Sequence, residues 1–346
     1  MKKKILFNKI NREELKQELA VEPFNRNTAS FYRYDSIADP QAFRDELYLK
    51  WDELKVFGRV YVATEGINAQ VSVPEYNWDE FLSQMNGMRE LNNMPIKRAL
   101  QDGHSFYKLS IKVRDELVAY GVPDGSYSMD RVGNHLTAIE YNAALEDPDT
   151  IIVDMRNYYE SEIGRFDHAI IPDVETSKDL LPAVQRILKG KETEQVLLYC
   201  TGGIRCEKAS AYLIHHGFQN VHQLQGGIIQ YAHDIRKKGL DSKFKGKNFV
   251  FDDRLGERVT DDVMAACHIC GNPCDDHTDC KNDACHILFI QCSSCSKKLN
   301  GCCSEECRDF AALPLDEQKR LRKDPERVVS KTFFDSRIKP KLNSNP

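Results

Sequence analysis

No cysteine occurs in the first 199 residues of this chain; all twelve lie from Cys200 onward, ten of them between Cys267 and Cys307. A disulfide framework is therefore excluded for the amino-terminal half. The opening MKKKILFNKI is basic, but its apolar core is only Ile5, Leu6 and Phe7, against the about 7 to 15 residues of a secretory signal. No stretch approaches the roughly 18 apolar residues of a membrane span. These absences predict a cytoplasmic protein with no membrane partner. In such a chain a tight cysteine cluster points to metal ligation rather than cross-linking. Internal repeats and low-complexity tracts are also missing. So is an excess of charge of one sign: 48 Lys and Arg against 53 Asp and Glu leave a net charge of -5. Neither a dinucleotide fingerprint nor a two-His-one-carboxylate iron triad is visible, so the usual oxygen-activating cofactors leave no mark.

The 346 residues are too many for one core, and two to four units are expected. From Thr28 to about Tyr120 the pattern runs ASFYRYDSI (strand), PQAFRDELYLKWDEL (helix), GRVYVATEGINAQVSV (two strands about Glu65-Gly66), YNWDEFLSQM (helix) and SFYKLSIKVR (strand). That order is the split βαβ arrangement of a ferredoxin-like α+β unit. In its last strand Tyr107, Leu109, Ile111 and Val113 share one face. Lys108, Lys112 and Arg114 share the other, either as a solvated basic face or as a platform for a phosphate backbone. Gly121 to Gly125 break the pattern, and a polar connector follows to about Leu145. Next come TIIVDMR (strand), DLLPAVQRIL (helix), QVLLYC (strand), EKASAYLIHHG (helix), NVHQL (strand) and IIQYAHDIRKKG (helix), the mark of a parallel sheet covered on both faces. Ligand sites in such sheets sit at the carboxyl ends of the strands.

Cys200 occupies that position. Thr201, Gly202, Gly203 and Ile204 separate it from Arg205, and a helix follows. Helix-terminal amides and an arginine lower a thiolate's pKa and hold an anion, and two glycines let the loop wrap. The reading is a nucleophile at the floor of a small anion cradle. A tyrosine-phosphatase loop has five residues between Cys and Arg; the smaller ring here suits sulfur. Asp154-Met-Arg156, Glu160 to Gly164, His168-Ala169 and Gly226-Gly227 lie where rhodanese-like domains carry their motifs, with Tyr231 where many have Trp. By that resemblance Cys200 would carry a persulfide. Cys206, where most such loops have Ser or Thr, is either a resolving thiol for Cys200 or a cap residue without chemical role.

Cys267-His-Ile-Cys270 and Cys292-Ser-Ser-Cys295 are C-x2-C knuckles 21 residues apart, as in a zinc ribbon. Cys274, Cys280, Cys285, Cys302, Cys303 and Cys307 exceed the needs of a second site. With few apolar residues of its own, this segment needs metal to fold. From Leu313 onward nine Lys or Arg face five Asp or Glu, a modestly basic tail.

FYRYDSIADP, FGRVYVATEGINAQVSVP, DMRNYYESEIGRF, CTGGIRCEKASAYL, GKNFVFDDRLGERV and CHICGNPCDDHTDCKNDACHILFIQC together resemble the bacterial rhodanese-like tRNA uridine hydroxylases over residues 28–310. The resemblance implies an oxidoreductase that 5-hydroxylates the wobble uridine of the tRNA anticodon, with O2 as co-substrate and the loop cysteine required. The electron donor is not named by the sequence. It implies an α/β multidomain chain: an extension (1–27), an acylphosphatase-like α+β domain (28–122), a linker (123–145), a rhodanese-like domain (146–240), a zinc-binding region (241–310) and a flexible basic tail (311–346). The expected partner is a tRNA anticodon stem-loop held by Lys108, Lys112, Arg114 and the tail, with no DNA. Sulfur transfer from a Cys200 persulfide, and a non-catalytic zinc-bearing RNA-binding module, remain the alternatives.

Overall fold

A computed structural model of the chain describes residues 6–8, 10–101, 103–122, 126–174 and 176–323. Alternating apolar and polar positions in the amino-terminal third build a sheet with one buried face. The elements are α1 (Arg12–Ala20), β1 (Arg26–Tyr34), α2 (Pro40–Glu53), β2 (Phe57–Ala63), β3 (Gly66–Pro74), α3 (Trp78–Asn86), β4 (Lys97–Arg98) and β5 (Leu109–Val113). The strand order is β4-β1-β3-β2-β5, with β2 and β5 parallel and the other pairs antiparallel. Phe31, Val60, Val62, Ala69 and Val71 turn inward onto Trp51 of α2 and Phe81 of α3, all fully buried. Burial of each such large side chain contributes about 1.5–3 kcal/mol. Asp39 caps α2 by accepting from the Ala42 amide at 2.9 Å, and Pro40 pre-sets its first turn. Two details differ from the sequence expectation. β4 is an added edge strand, and Val113, at the end of edge strand β5, is exposed rather than inward.

The second unit comprises β6 (Asn134–Leu136), α4 (Ala138–Ala144), β7 (Ile151–Asp154), α5 (Tyr158–Glu162), β8 (Gly164–Phe166), α6 (Ser177–Ile187), β9 (Gln195–Tyr199), α7 (Ile204–His215), β10 (Asn220–Leu224) and α8 (Gly227–Lys238). Strands β6-β10-β9-β7 form an all-parallel sheet. Leu180, Val184 and Leu213 of α6 and α7 cover one face, against Val153, Val196 and Leu198. Tyr141, Ile228 and Tyr231 of α4 and α8 cover the other, against Ile152, Leu197 and Tyr199. Both faces being apolar, β9 reads as a continuous hydrophobic run, and its end delivers Cys200 from the middle of the sheet.

Residues 134–144, expected to lie within a linker, instead form β6 and α4. The reason is local: Thr137 and Glu140 make a capping box, and Tyr141 buries completely beneath α8. Of the expected break at 121–125, positions 123–125 lie outside the described residues.

In the carboxyl-terminal region β11 (Phe244–Asn248) pairs with β8 and with β12 (Glu257–Arg258). It continues through β13 (His277–Asp279), β14 (Leu288–Ile290), α9 (Ser293–Lys298), α10 (Glu305–Ala311) and α11 (Leu315–Leu321). The expected flexible tail begins with this helix, and its remainder from 324 lies outside the described residues. Among the described residues no helix is long and apolar enough to cross a membrane.

Candidate active site and cysteine clusters

Cys200 leaves β9 fully buried, and the loop that follows curls back onto it. The Gly203 amide donates to Sγ at 3.1 Å. Gly203 caps α7 with φ +102°, a conformation that requires glycine, and a side chain there would also strike the Tyr32 hydroxyl at 2.6 Å. The first turn of α8 holds the loop from behind: Ile228 and Ile229 amides donate to the Cys200 and Thr201 carbonyls at 3.0 and 3.2 Å. Gly227 permits this approach, since a Cβ would lie 2.6 Å from the Cys200 carbonyl oxygen. Gly227 thus serves backbone packing under the loop, whereas a Cβ at Gly226 would meet the Gln230 and Lys97 side chains.

Burial raises the pKa of the Cys200 thiol, but the Cys206 thiol, the Arg205 charge and the Cys206 and Gly203 amides outweigh it and bring it down to about 5. Cys200 is a thiolate at neutral pH. Cys206 lies within the first turn of α7 and not at its cap, which is Gly203. Equally buried, it is pushed up by burial and by that neighbouring thiolate, so it stays protonated and donates to Cys200.

Arg205 keeps one part of its expected role, since its charge lowers the Cys200 pKa, and departs from the other. Rather than projecting a free charge into the loop, it forms a bidentate pair with Glu160 at 2.6 and 2.8 Å, and it also donates to Thr201 Oγ1 at 3.2 Å. Glu160 is 0% exposed and further accepts from Thr201, the Asn157 amide and the Asn157 side chain. Beneath it Asp154 pairs with Arg156 and accepts from Ser161, which anchors α5 to the sheet. With Arg205 neutralised, the cradle suits a single thiolate better than a doubly charged phosphate.

The amino-terminal sheet covers the site, which sequence reasoning missed. Lys97 Nζ of β4 donates to the Gly202 carbonyl at 3.0 Å and lies 4.5 Å from the Tyr32 ring centre. Burial lowers its pKa to about 8, against the opposing pull of Cys200 and Glu207. Tyr32 donates to Glu207 at 3.1 Å and Tyr34 to the Ile204 carbonyl at 3.3 Å. Glu207 also bonds His135 Nε2 at 2.7 Å and Gln223 at 3.0 Å. Lys208 of α7 reaches back to Glu65 and Glu116 at 3.1 and 2.7 Å. The available signal was two tyrosines at alternate positions on the polar face of β1. Lys112 in β5 and Lys108 and Arg114 on either side of it are exposed at the sheet edge opposite β4, so the structure does not bring them to the loop.

Eight of the ten clustered cysteines resolve into two sets of four. The sulfurs of Cys267, Cys270, Cys292 and Cys295 lie within 4.8 Å of one another, as do those of Cys280, Cys285, Cys303 and Cys307. Each set can hold a metal ion. Cys274 and Cys302, counted among the second-site candidates, belong to neither. The choice between Cys302 and Cys303 follows from α10, capped by Ser304, which brings Cys307 within 3.6 Å of Cys303. Amides support both sets: Cys292 donates to Cys267 Sγ and Cys303 to Cys280 Sγ, each at 3.4 Å. The first set also braces α5, the helix that carries Glu160, because His268 pairs with Glu162 at 2.8 Å and Tyr159 packs on Phe249.

A family model described as UPF0176 acylphosphatase-like domain matches residues 26–117, one for a rhodanese-like domain matches 137–234, and one for a Rhodanase C-terminal segment matches 245–308. Proteins named tRNA uridine(34) hydroxylase from Leptospira interrogans, Pectobacterium carotovorum and Escherichia fergusonii are 48%, 49% and 50% identical to this chain. Those alignments cover 99%, 93% and 96% of this chain and 93%, 91% and 95% of theirs. The chain belongs to the tRNA uridine(34) hydroxylase family.

Proposed function

We propose that this chain hydroxylates C5 of the wobble uridine, position 34, in tRNA anticodons. Identity of 48–50% over nearly the full length of proteins so named supports the reading most, and the Cys200 thiolate is its chemical counterpart. Uridine, O2 and an external two-electron donor give 5-hydroxyuridine and water. Cys200 adds to uracil C6, the electrophilic end of the 5,6-double bond, which makes C5 electron-rich. One oxygen atom of O2 then bonds to C5 while the external donor's two electrons and two protons take the other to water. The C5 proton leaves, and the C6–S bond breaks as the double bond re-forms and returns the Cys200 thiolate. The Lys97 ammonium stabilises the enolate oxygen that forms, Arg205 and Glu160 hold the loop, and Cys206 keeps Cys200 hydrogen-bonded. Lys108, Lys112 and Arg114 hold the anticodon stem-loop of the tRNA partner. The setting is the cytoplasm, where tRNA is modified.

The test is the nucleoside profile of tRNA from cells lacking the protein. Loss of a 5-hydroxyuridine-derived nucleoside, restored by the wild-type chain, is expected by mass spectrometry. Loss of a thiolated nucleoside instead would replace this reading by sulfur transfer.

Both cysteine sets fit structural Zn2+, since four thiolates within tetrahedral reach are its preferred closed site. The ions supply folding energy to a region with a small core. Elemental analysis is expected to give two zinc per chain, and chelation to unfold the region after Phe249 and loosen α5. Full stability after complete chelation would exclude a structural role.

A further inference from the structure

Both helices of the amino-terminal unit that pack on its sheet, α2 and α3, lie on one face. The register places the opposite face in rows. One runs Tyr32, Asn68, Tyr61, Lys112 across β1, β3, β2 and β5; the next pairs Gln70 with Arg59. Arg59 and Lys112 are exposed, Tyr61, Asn68 and Gln70 half-buried. Neither row holds an acidic residue, although the chain carries a net charge of -5. Among the described residues the Arg59 and Lys112 side chains make no hydrogen bond or ion pair. The Arg114 guanidinium lies 5.4 Å from the Tyr61 ring centre.

The geometry points to this face as the seat of the unpaired nucleotides that flank the target base, with single-stranded RNA as its occupant. It rests on the tRNA reading above. Four strands span roughly three spacings of 4.8 Å, about 14 Å, and a sheet of that breadth stacks two or three bases in RNA-recognition domains. Tyr61 offers the stacking ring, Asn68 and Gln70 offer amides to base edges, and Arg59 and Lys112 take phosphates. The row is continuous with the active site, because its first member, Tyr32, touches the Cys200 loop at Gly203 and the first turn of α7 at Glu207. A nucleotide leaving the platform at Tyr32 arrives beside Cys200. An acidic peptide would use the two cations but would leave the ring and amides without a role.

The experiment uses the full-length, metal-loaded protein and three probes: an unmodified tRNA transcript, an anticodon-loop oligonucleotide and a fully paired RNA stem. Tyr61→Ala is expected to weaken transcript and loop binding about 5- to 150-fold, with Tyr61→Phe restoring it. Arg59→Ala with Lys112→Ala is expected to reduce the slope of log affinity against log salt by about 1.4, two phosphates at about 0.7 each. The paired stem is expected to be insensitive to Tyr61→Ala. Unchanged affinity and slope in both variants, with wild type binding the transcript, would overturn the platform and leave the hydroxylase reading standing. Polyglutamate competing as well as the loop oligonucleotide would overturn RNA as the occupant. No wild-type affinity for any RNA would overturn the tRNA reading together with the platform.

Discussion

Replacing Cys200 with alanine is expected to lower uridine hydroxylation by on the order of 10^4-fold or more, the scale on which nucleophile removal acts in other enzymes. Folding should survive, because the loop is also held by the Ile228 and Ile229 amides and by Glu160. The pH dependence gives a sharper test. Cys200 acts deprotonated and has a pKa lowered to about 5, so activity rises as pH increases through that value. Lys97 acts protonated and has a pKa lowered to about 8, so activity falls as pH increases beyond it. The profile is then a bell with a plateau between the two, its limbs belonging to the thiolate and ammonium of one pocket. Lys97→Met should remove the alkaline limb, lower the plateau and leave the acid limb. The ultraviolet thiolate absorbance of wild type minus that of Cys200→Ala, titrated with pH, should show a midpoint near the acid limb. A midpoint in the ordinary thiol range would sink the thiolate, and an unmoved alkaline limb in Lys97→Met would remove Lys97 from the chemistry.

The parts of this site legible in the sequence are those written within one turn or one knuckle. Cys200, two glycines and Arg205 fall within six positions, and each C-x2-C pair within four, so spacing alone carries their geometry. What stayed hidden is what the fold brings from afar. Lys97 reaches the loop from 105 residues upstream of Gly202, and Tyr32 meets Glu207 across 175. Alternation along β1 places Tyr32 on the polar face but says nothing of what that face meets. The second cysteine set was illegible for a related reason. Cys280 and Cys285 have a longer gap, and the adjacent Cys302 and Cys303 can be told apart only once the backbone direction into α10 is known. Strand β6 is three residues long, too short for any period to register.

The Arg205 guanidinium is committed to Glu160 rather than to an anion in the loop, and this pair carries the largest expected effect on stability. Glu160 is wholly buried and Arg205 nearly so, at 0% and 11% exposure of their side chains. Burial works against the charge of Arg205, and Glu160 outweighs it. Removing one partner leaves an uncompensated charge indoors, which costs about 3–5 kcal/mol. Glu160→Gln and Arg205→Met are each expected to lose that much in denaturant unfolding. The double variant should lose less than the sum, because neither charge is then stranded; coupling of about 0.5–3 kcal/mol is typical of residues in such contact. The two single variants should differ in chemistry. Arg205→Met removes a positive charge that lowers the Cys200 pKa, so the acid limb of the pH profile moves to higher pH. Glu160→Gln leaves the guanidinium unneutralised beside the thiolate, so the same limb moves lower or stays. Strictly additive stability losses would show that the two groups act independently, and a common limb in both variants would show that Arg205 supports the loop without tuning the thiol.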